Sequence, residues 1–421
     1  MSSFSRTALR QIARLAAPVF DQGSLAALNF LVSVLVARAA SASEFGRFAL
    51  TWTVFSFVLY AWTFLPGAWI LSYQDETKAF TDDAQVARGG VLFAGVLGLL
   101  TVPLTALAYF LISAGNLVLA VSVAVSTGGW MVISAFRFGA YRTGERFLAS
   151  RIVLLNLLVF GLLFGTLHSL SAAEALGIAE WVVPPVSHAG STTLCAGIAL
   201  LTRRGPRADG LVRQAARASF TGYRSIGTSF GVNGTIMLGV PSTIGLVAGL
   251  GAVAGYRGGQ TLAGLPLQIP QGLQPILLRQ LADQDGSSPA ARQSVLRLWQ
   301  LGTAVLLGGS ALIATMVTDV WGERVLGDTW QYAEDALPWL LVGAIFSQWM
   351  YGVEASCRVT DQMATYALWR AIWLLPTFAL VVVGADWSGA RGAAIAMLTA
   401  NATLFLTLRY RVSLRRARAD E

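Results

Sequence analysis

Apolar runs of about 20 residues recur along the whole chain, at roughly 15–37, 48–72, 89–113, 116–137, 151–170, 181–202, 225–249, 258–281, 299–320, 335–357, 366–385 and 390–409. Each is long enough for a helix to cross the hydrocarbon core of a bilayer. The pattern predicts an all-α membrane protein with about twelve transmembrane helices joined by short connections. Six runs precede the arginine-rich segment TRRGPRADGLVRQAARASFTGYR (202–224) and six follow it. The expected organisation is an N-terminal six-helix lobe at 1–202, a cytoplasmic linker at 203–224, a C-terminal six-helix lobe at 225–410 and a basic tail at 411–421. An even helix number per half implies parallel rather than inverted repeats. When the halves are overlaid, LVARAASASEFGRFAL lies over LVAGLGAVAGYRGGQTL, with Arg47 facing Arg257.

Two of the runs carry polar stripes. In the first, Gln22, Asn29 and Ser33 fall within about 40° of one another on a helix, with Asp21 flanking them. In the eighth, GYRGGQTLAGLPLQIPQGLQPILLRQLA (255–282), Arg257, Gln260, Gln268, Gln271 and Gln274 span about 120°, and Pro266, Pro270 and Pro275 bend the helix. Polar groups are costly against lipid, so each stripe faces either other helices or water. Interhelical hydrogen bonds and a hydrated cavity both satisfy that requirement. Asp21 has a bland partner close by in Arg14. Glycine pairs at 161/165, 227/231 and 251/255 have the small-xxx-small spacing that lets helices approach closely.

Composition agrees with the pattern. Hydrophobic residues make up 55% and charged ones only 12%, with mean hydropathy +0.61, too much apolar surface for a water-soluble globule. With both termini cytoplasmic, only Arg38, Arg47, Arg257, Arg324 and Arg391 of the 30 basic residues fall outside, which leaves 25 inside, as expected when cytoplasmic loops retain positive charge. The net charge of +8 therefore reads as a topology signal with attraction to anionic head groups of the bilayer, and no nucleic-acid partner is expected. Cys195 and Cys357 lie near cytoplasmic helix ends, where thiols stay reduced.

Catalytic and metal signatures are missing. His168 and His188 have no companions at metal-ligand spacing, and the chain has no GxxxxGK loop and no GxSxG turn. Neither enzyme activity nor a cofactor nor a metal is expected. The longest predicted outer loop, TDVWGERVLGDTWQYAED (318–335), holds five acidic residues that read as a solvated loop. Trp52, Tyr60, Trp62, Trp69 and Trp130 have the chemistry to stack on sugar rings, but interfacial belts use the same residues. Arg47 and Arg257 offer guanidinium groups either to a phosphate or pyrophosphate or to outer-leaflet head groups.

The segment FDQGSLAALNFLVSVLVARAASASEFGRFAL (20–50) resembles the opening of the polysaccharide-biosynthesis flippases of the multidrug/oligosaccharidyl-lipid/polysaccharide (MOP) exporter superfamily, on Ala37, Arg38, Glu44, Phe45 and Gly46. Residues 254–282 and 320–343 resemble later helix regions of the same family. The resemblance implies two six-helix lobes around a central cavity. It implies alternating access that moves a polyprenyl-pyrophosphate-linked oligosaccharide from the cytoplasmic to the outer leaflet of a bacterial inner membrane, for assembly of lipopolysaccharide or exopolysaccharide. It also implies partners: lipid-linked oligosaccharide, bilayer phospholipid, and a glycan polymerase or other assembly proteins. Arg47 and Arg257 are then candidates for the pyrophosphate, Gln22, Asn29, Gln260, Gln268, Gln271 and Gln274 for sugar hydroxyls, and Asp21 for coupling to Na⁺ or a proton. A drug/cation antiporter of the same superfamily and a glycan polymerase or ligase are the alternatives.

Overall fold

The computed structural model describes residues 3–72, 83–169, 177–202, 211–283, 289–317, 319–360 and 362–419, with side chains left undescribed chiefly over 3–19, 22, 60–72, 217–230 and 412–419. The described residues are helical, without strands. The first six helices are α1 (Ser3–Ala39), α2 (Ala42–Ser72), α3 (Asp83–Ile112), α4 (Leu117–Arg142), α5 (Arg146–Ser169) and α6 (Val183–Thr202). They are followed by α7 (Leu211–Asp283), α8 (Pro289–Ala314), α9 (Asp319–Leu326), α10 (Trp330–Ala333), α11 (Leu337–Val359), α12 (Met363–Ile372) and α13 (Leu374–Ala419).

By length and composition, six of the described helices are apolar enough to cross a membrane, or seven when the pair Asp319–Ala333 and Leu337–Val359, bent by 83°, counts as one span. Two of those runs are double. α7 breaks at Gly249, whose φ of 83° and ψ of 176° suit glycine alone. α13 breaks at Ser388 and Gly389. Divided there, with α12 joined to the first part of α13, six long helices precede residues 203–210 and six follow them, in line with the twelve expected from the hydrophobic pattern. The predicted connection at 250–257 shrinks to a single glycine, because helix resumes at Leu250. The linker segment is also helical from Leu211 onward and runs directly into the seventh span.

Other junctions follow local chemistry. Ser41 caps α2: its backbone N–H donates to Glu44 Oε2 at 2.8 Å, and the Glu44 N–H donates back to Ser41 Oγ at 3.4 Å, the reciprocal capping box. Asn116 caps α4 by accepting from the Leu119 N–H at 2.9 Å. The acidic stretch at 318–335, expected as a solvated loop, keeps its five carboxylates exposed but is folded where it is described. It forms α9, a 3₁₀ turn at Gly327–Thr329 and α10, held by Trp330, which is buried and donates from Nε1 to Asp319 Oδ1 at 3.2 Å.

The chain forms two compact units, one of residues 1–40 and 50–227, the other of residues 41–49 and 228–421. In the first unit α4 is the buried centre, packed by α3, α5 and α6. Small residues permit that density: a Cβ on Gly129 would stand 2.9 Å from Thr192 Cβ, and one on Gly139 would stand 2.9 Å from Ala87 Cβ. In the second unit α11 packs on α8 and α13. A Cβ on Gly384 would lie 2.8 Å from the Gly392 carbonyl carbon, so the two halves of α13 touch backbone to backbone. Of the glycine pairs expected to serve this purpose, 251/255 does so against Tyr332, whereas Gly161, Gly165 and Gly231 face open space.

Candidate functional site

In the first unit α1 carries Asp21 to the centre of the bundle, where it is fully buried. Its partner among the described residues is Arg137 of α4, while the side chain of the nearby Arg14 lies outside them. Arg137 Nε donates to both carboxylate oxygens at 3.0 Å, and Nη2 also reaches Oδ2. Tyr141, one turn further along α4, donates its hydroxyl to Oδ2 at 2.6 Å. One negative and one positive charge thus meet in the interior with an added hydroxyl donor, the arrangement that makes a buried ion pair tolerable. Arg137, counted from sequence among the cytoplasmic charges, is an internal residue of α4.

The rest of the first stripe is less enclosed. Asn29 is half-buried, Ser33 is buried, and the Gln22 side chain lies outside the described residues. Deeper in the unit, His188 Nε2 accepts from Trp130 Nε1 at 2.9 Å, so its proton sits on Nδ1, which faces Ser126 Oγ at 2.9 Å. Trp52 packs on the same ring with centroids 5.4 Å apart. Trp52 and Trp130 are therefore core residues, neither a sugar platform nor an interfacial belt. Tyr60, Trp62 and Trp69 lie outside the described side chains. No group of three metal-ligating side chains occurs among the described residues.

The second unit holds both predicted arginines. Phe45 and Phe48 are fully buried and seat the start of α2 there. Gly46 lies so close to Leu250 that a Cβ would stand 3.0 Å from its carbonyl carbon. Arg47 thus follows directly on the contact with the turn that starts the helix of Arg257, two turns before it. Arg47 is exposed, whereas Arg257 is half-buried with its Nε shielded and without a hydrogen-bond partner among the described residues.

Along the same helix Gln260, Gln268, Gln271 and Gln274 are all half-buried, neither sealed nor fully exposed. Gln260 hydrogen-bonds with the Tyr256 side chain. Gln274 Nε2 donates to Gln348 Oε1 of α11 at 3.3 Å, and Trp299 Nε1 donates to the Gln348 carbonyl at 2.8 Å. Gln274 thus has a packing role as well as a polar surface. A cavity of about 290 Å³ opens between α7 and α8, lined mainly by Ile269, Leu273, Leu277, Leu298, Trp299 and Leu306. The predicted glutamines are not part of that lining.

A further cluster escaped sequence reasoning. Glu354 of α11 accepts from Arg358 Nη2 at 2.6 Å and from the Tyr366 hydroxyl at 3.0 Å, and Arg370 Nη1 donates to the same hydroxyl at 3.3 Å. The signal was present: Glu354 and Arg370 both lie inside predicted spans, where ionisable residues mark function by default.

No protein-family model and no curated protein sequence matches the chain. Its fold matches solved transporters at low sequence identity. An inward-facing multidrug resistance MATE family transporter of the MOP superfamily superposes with TM-score 0.72 at 13% identity, over 93% of this chain and 96% of that one. The outward-facing form of such a transporter gives 0.63 at 13% identity, over 96% of each chain. A MOP superfamily transporter from Pyrococcus furiosus, described as having a binding pocket of reversed polarity that suggests a different function, gives 0.61 at 13% identity, over 96% of this chain and 95% of that one. The chain therefore has the MATE-like transporter fold.

Proposed function

We propose that this chain is a transporter that carries a polyprenyl-pyrophosphate-linked oligosaccharide from the cytoplasmic to the outer leaflet by alternating access. The observation that carries the reading is Arg257, a half-buried guanidinium whose Nε has no partner among the described residues, at the head of a helix with four half-buried glutamines. A pyrophosphate accepts hydrogen bonds from guanidinium groups bidentately. Sugar hydroxyls match amides that both donate and accept. The matching fold occurs in inward- and outward-facing forms in the transporters named above, which supports alternating access. Asp21 is the proposed coupling residue, with the cation or proton competing against Arg137 for the carboxylate.

Transport of cationic drugs is the second reading, and the ion pairs weigh against it. The two buried carboxylates among the described residues, Asp21 and Glu354, are each engaged by an arginine and a tyrosine, so neither presents unneutralised negative charge to a cation. Deleting the gene separates the readings. Lipid-linked oligosaccharide should collect on the cytoplasmic leaflet. Collection on the outer leaflet would indicate a polymerase or ligase, and raised dye sensitivity without any glycan build-up would indicate a drug exporter.

A further inference from the structure

The two units use the same three side-chain types in buried clusters, but their charges do not balance alike. In the first, Asp21 faces Arg137 and Tyr141, one charge against one. In the second, Glu354 is the single carboxylate among the described residues against two guanidinium groups. Arg358 takes Oε1 directly, while Arg370 reaches Glu354 only through the Tyr366 hydroxyl, which donates to Oε2 and accepts from Arg370 Nη1. Glu354 and Tyr366 are buried, and Arg370 is only 9% exposed.

Among the described residues, the Arg370 guanidinium meets one neutral hydroxyl and the Tyr366 ring, 5.7 Å away, but no carboxylate. Its Nε is shielded from solvent and has no acceptor among the described residues. A buried charge without a counter-charge is strongly unfavourable, and an arginine in a membrane-spanning helix normally pairs or faces a polar path. The position along the chain supplies the missing partner's class. Trp369, the preceding residue, stacks under the guanidinium of Arg411 at 4.7 Å, which places Arg370 level with the end of α13 that leads into the basic C-terminal tail. With that tail cytoplasmic, the cluster sits at the depth of the inner-leaflet head groups, where basic side chains attract anionic lipid.

We propose that Arg370, held in place by Tyr366 and flanked by Arg358, forms a binding site for a phosphate-type oxyanion at the cytoplasmic end of the second unit, separate from Arg257 and the glutamine stripe. The phosphate belongs either to an anionic lipid head group or to a soluble phosphate ligand. The guanidinium edge donates to the oxyanion, and Glu354 tunes the site by offsetting one of its two positive charges. Nothing in this site depends on the transported substrate, so it stands or falls apart from the function proposed above.

The test uses full-length protein in detergent, with phosphatidylglycerol, phosphatidylcholine and inorganic phosphate as probes. Retained lipid is read by native mass spectrometry and protection by thermal unfolding. If a head group is the source, phosphatidylglycerol is retained over phosphatidylcholine; if a soluble ligand is the source, inorganic phosphate raises the unfolding temperature. In either case Arg370→Gln lowers the apparent affinity about tenfold, as expected when one charge-assisted hydrogen bond is removed. Arg370→Lys keeps part of it. Glu354→Gln tightens it, because it removes the competing carboxylate, an outcome that simple loss of folding would not give. If Arg370→Gln leaves both the lipid preference and phosphate protection unchanged, or if Glu354→Gln weakens binding in a folded protein, Arg370 is a structural residue and the site does not exist.

Discussion

Replacing Asp21 with alanine should destabilise the protein by about 3–5 kcal/mol, the typical cost of stripping one partner from a buried ion pair. The loss has two sources on this chain. Arg137 keeps its charge in the interior of α4 with the bidentate acceptor gone, and the Tyr141 hydroxyl loses the acceptor it now meets at 2.6 Å. The pair itself contributes much less than its breakage costs, because desolvation offsets most of the attraction. The double variant Asp21→Leu with Arg137→Met should therefore recover most of the stability. Thermal unfolding in detergent measures both, and an unchanged midpoint for Asp21→Ala would show that the pair is not formed in the folded protein. Asp21→Asn keeps shape and hydrogen bonding while removing the titratable charge. If Asp21 couples transport to a cation or proton, that variant folds but no longer responds to the gradient.

Arg257→Gln should behave in the opposite way, with near-normal folding and failed transport. Among the described residues its Nε has no protein partner to lose, so the folded state forfeits little. The pyrophosphate would lose a charge-assisted contact worth about 1.5–3 kcal/mol, or roughly 10- to 100-fold in affinity. Arg257→Lys should restore only part of this, since an ammonium keeps the charge but not the planar fork. Arg47→Gln is expected to act in the same direction, because its helix start packs against Leu250 at the head of the Arg257 helix. Glycan export measured in cells that contain equal amounts of each variant in the membrane checks the prediction. Full export by both variants would remove these arginines from the substrate path.

The helix plan was legible in the sequence because hydrophobic length is a local property. Both halves of the chain, six long helices each, could be read from runs of about 20 residues. What the pattern missed were joints set by one residue. Gly249 replaces an expected loop of eight residues, since a positive φ at a glycine turns the chain without any spacer. The acidic stretch at 318–335 is solvated as its five carboxylates suggested, but it is not a plain loop, because Trp330 folds over Gly322 and anchors α9 to α10.

The site was legible only in part. Asp21 stood out as an acid inside a span, but its partner lies 116 positions away, and no periodicity reveals which helices meet. Counting arginines for topology treats every basic residue near a helix end as a loop charge, and so it hid Arg137, which is buried against Asp21 inside the first unit. Glu354 was passed over although it lies inside the tenth predicted span. The glutamine stripe was read as facing either a cavity or other helices, and the bond from Gln274 to Gln348 required the tertiary structure.

The most direct test of the transport proposal is reconstitution of the purified full-length chain into vesicles that carry a polyprenyl-pyrophosphate oligosaccharide in both leaflets. A membrane-impermeant glycosidase added outside digests the outer pool, and the remaining protected pool is followed over time. If the chain flips this lipid, the protected pool drains in vesicles holding the native protein and stays near one half in those holding Arg257→Gln. A protected pool that persists equally with native protein, with the variant and with no protein would contradict the proposal.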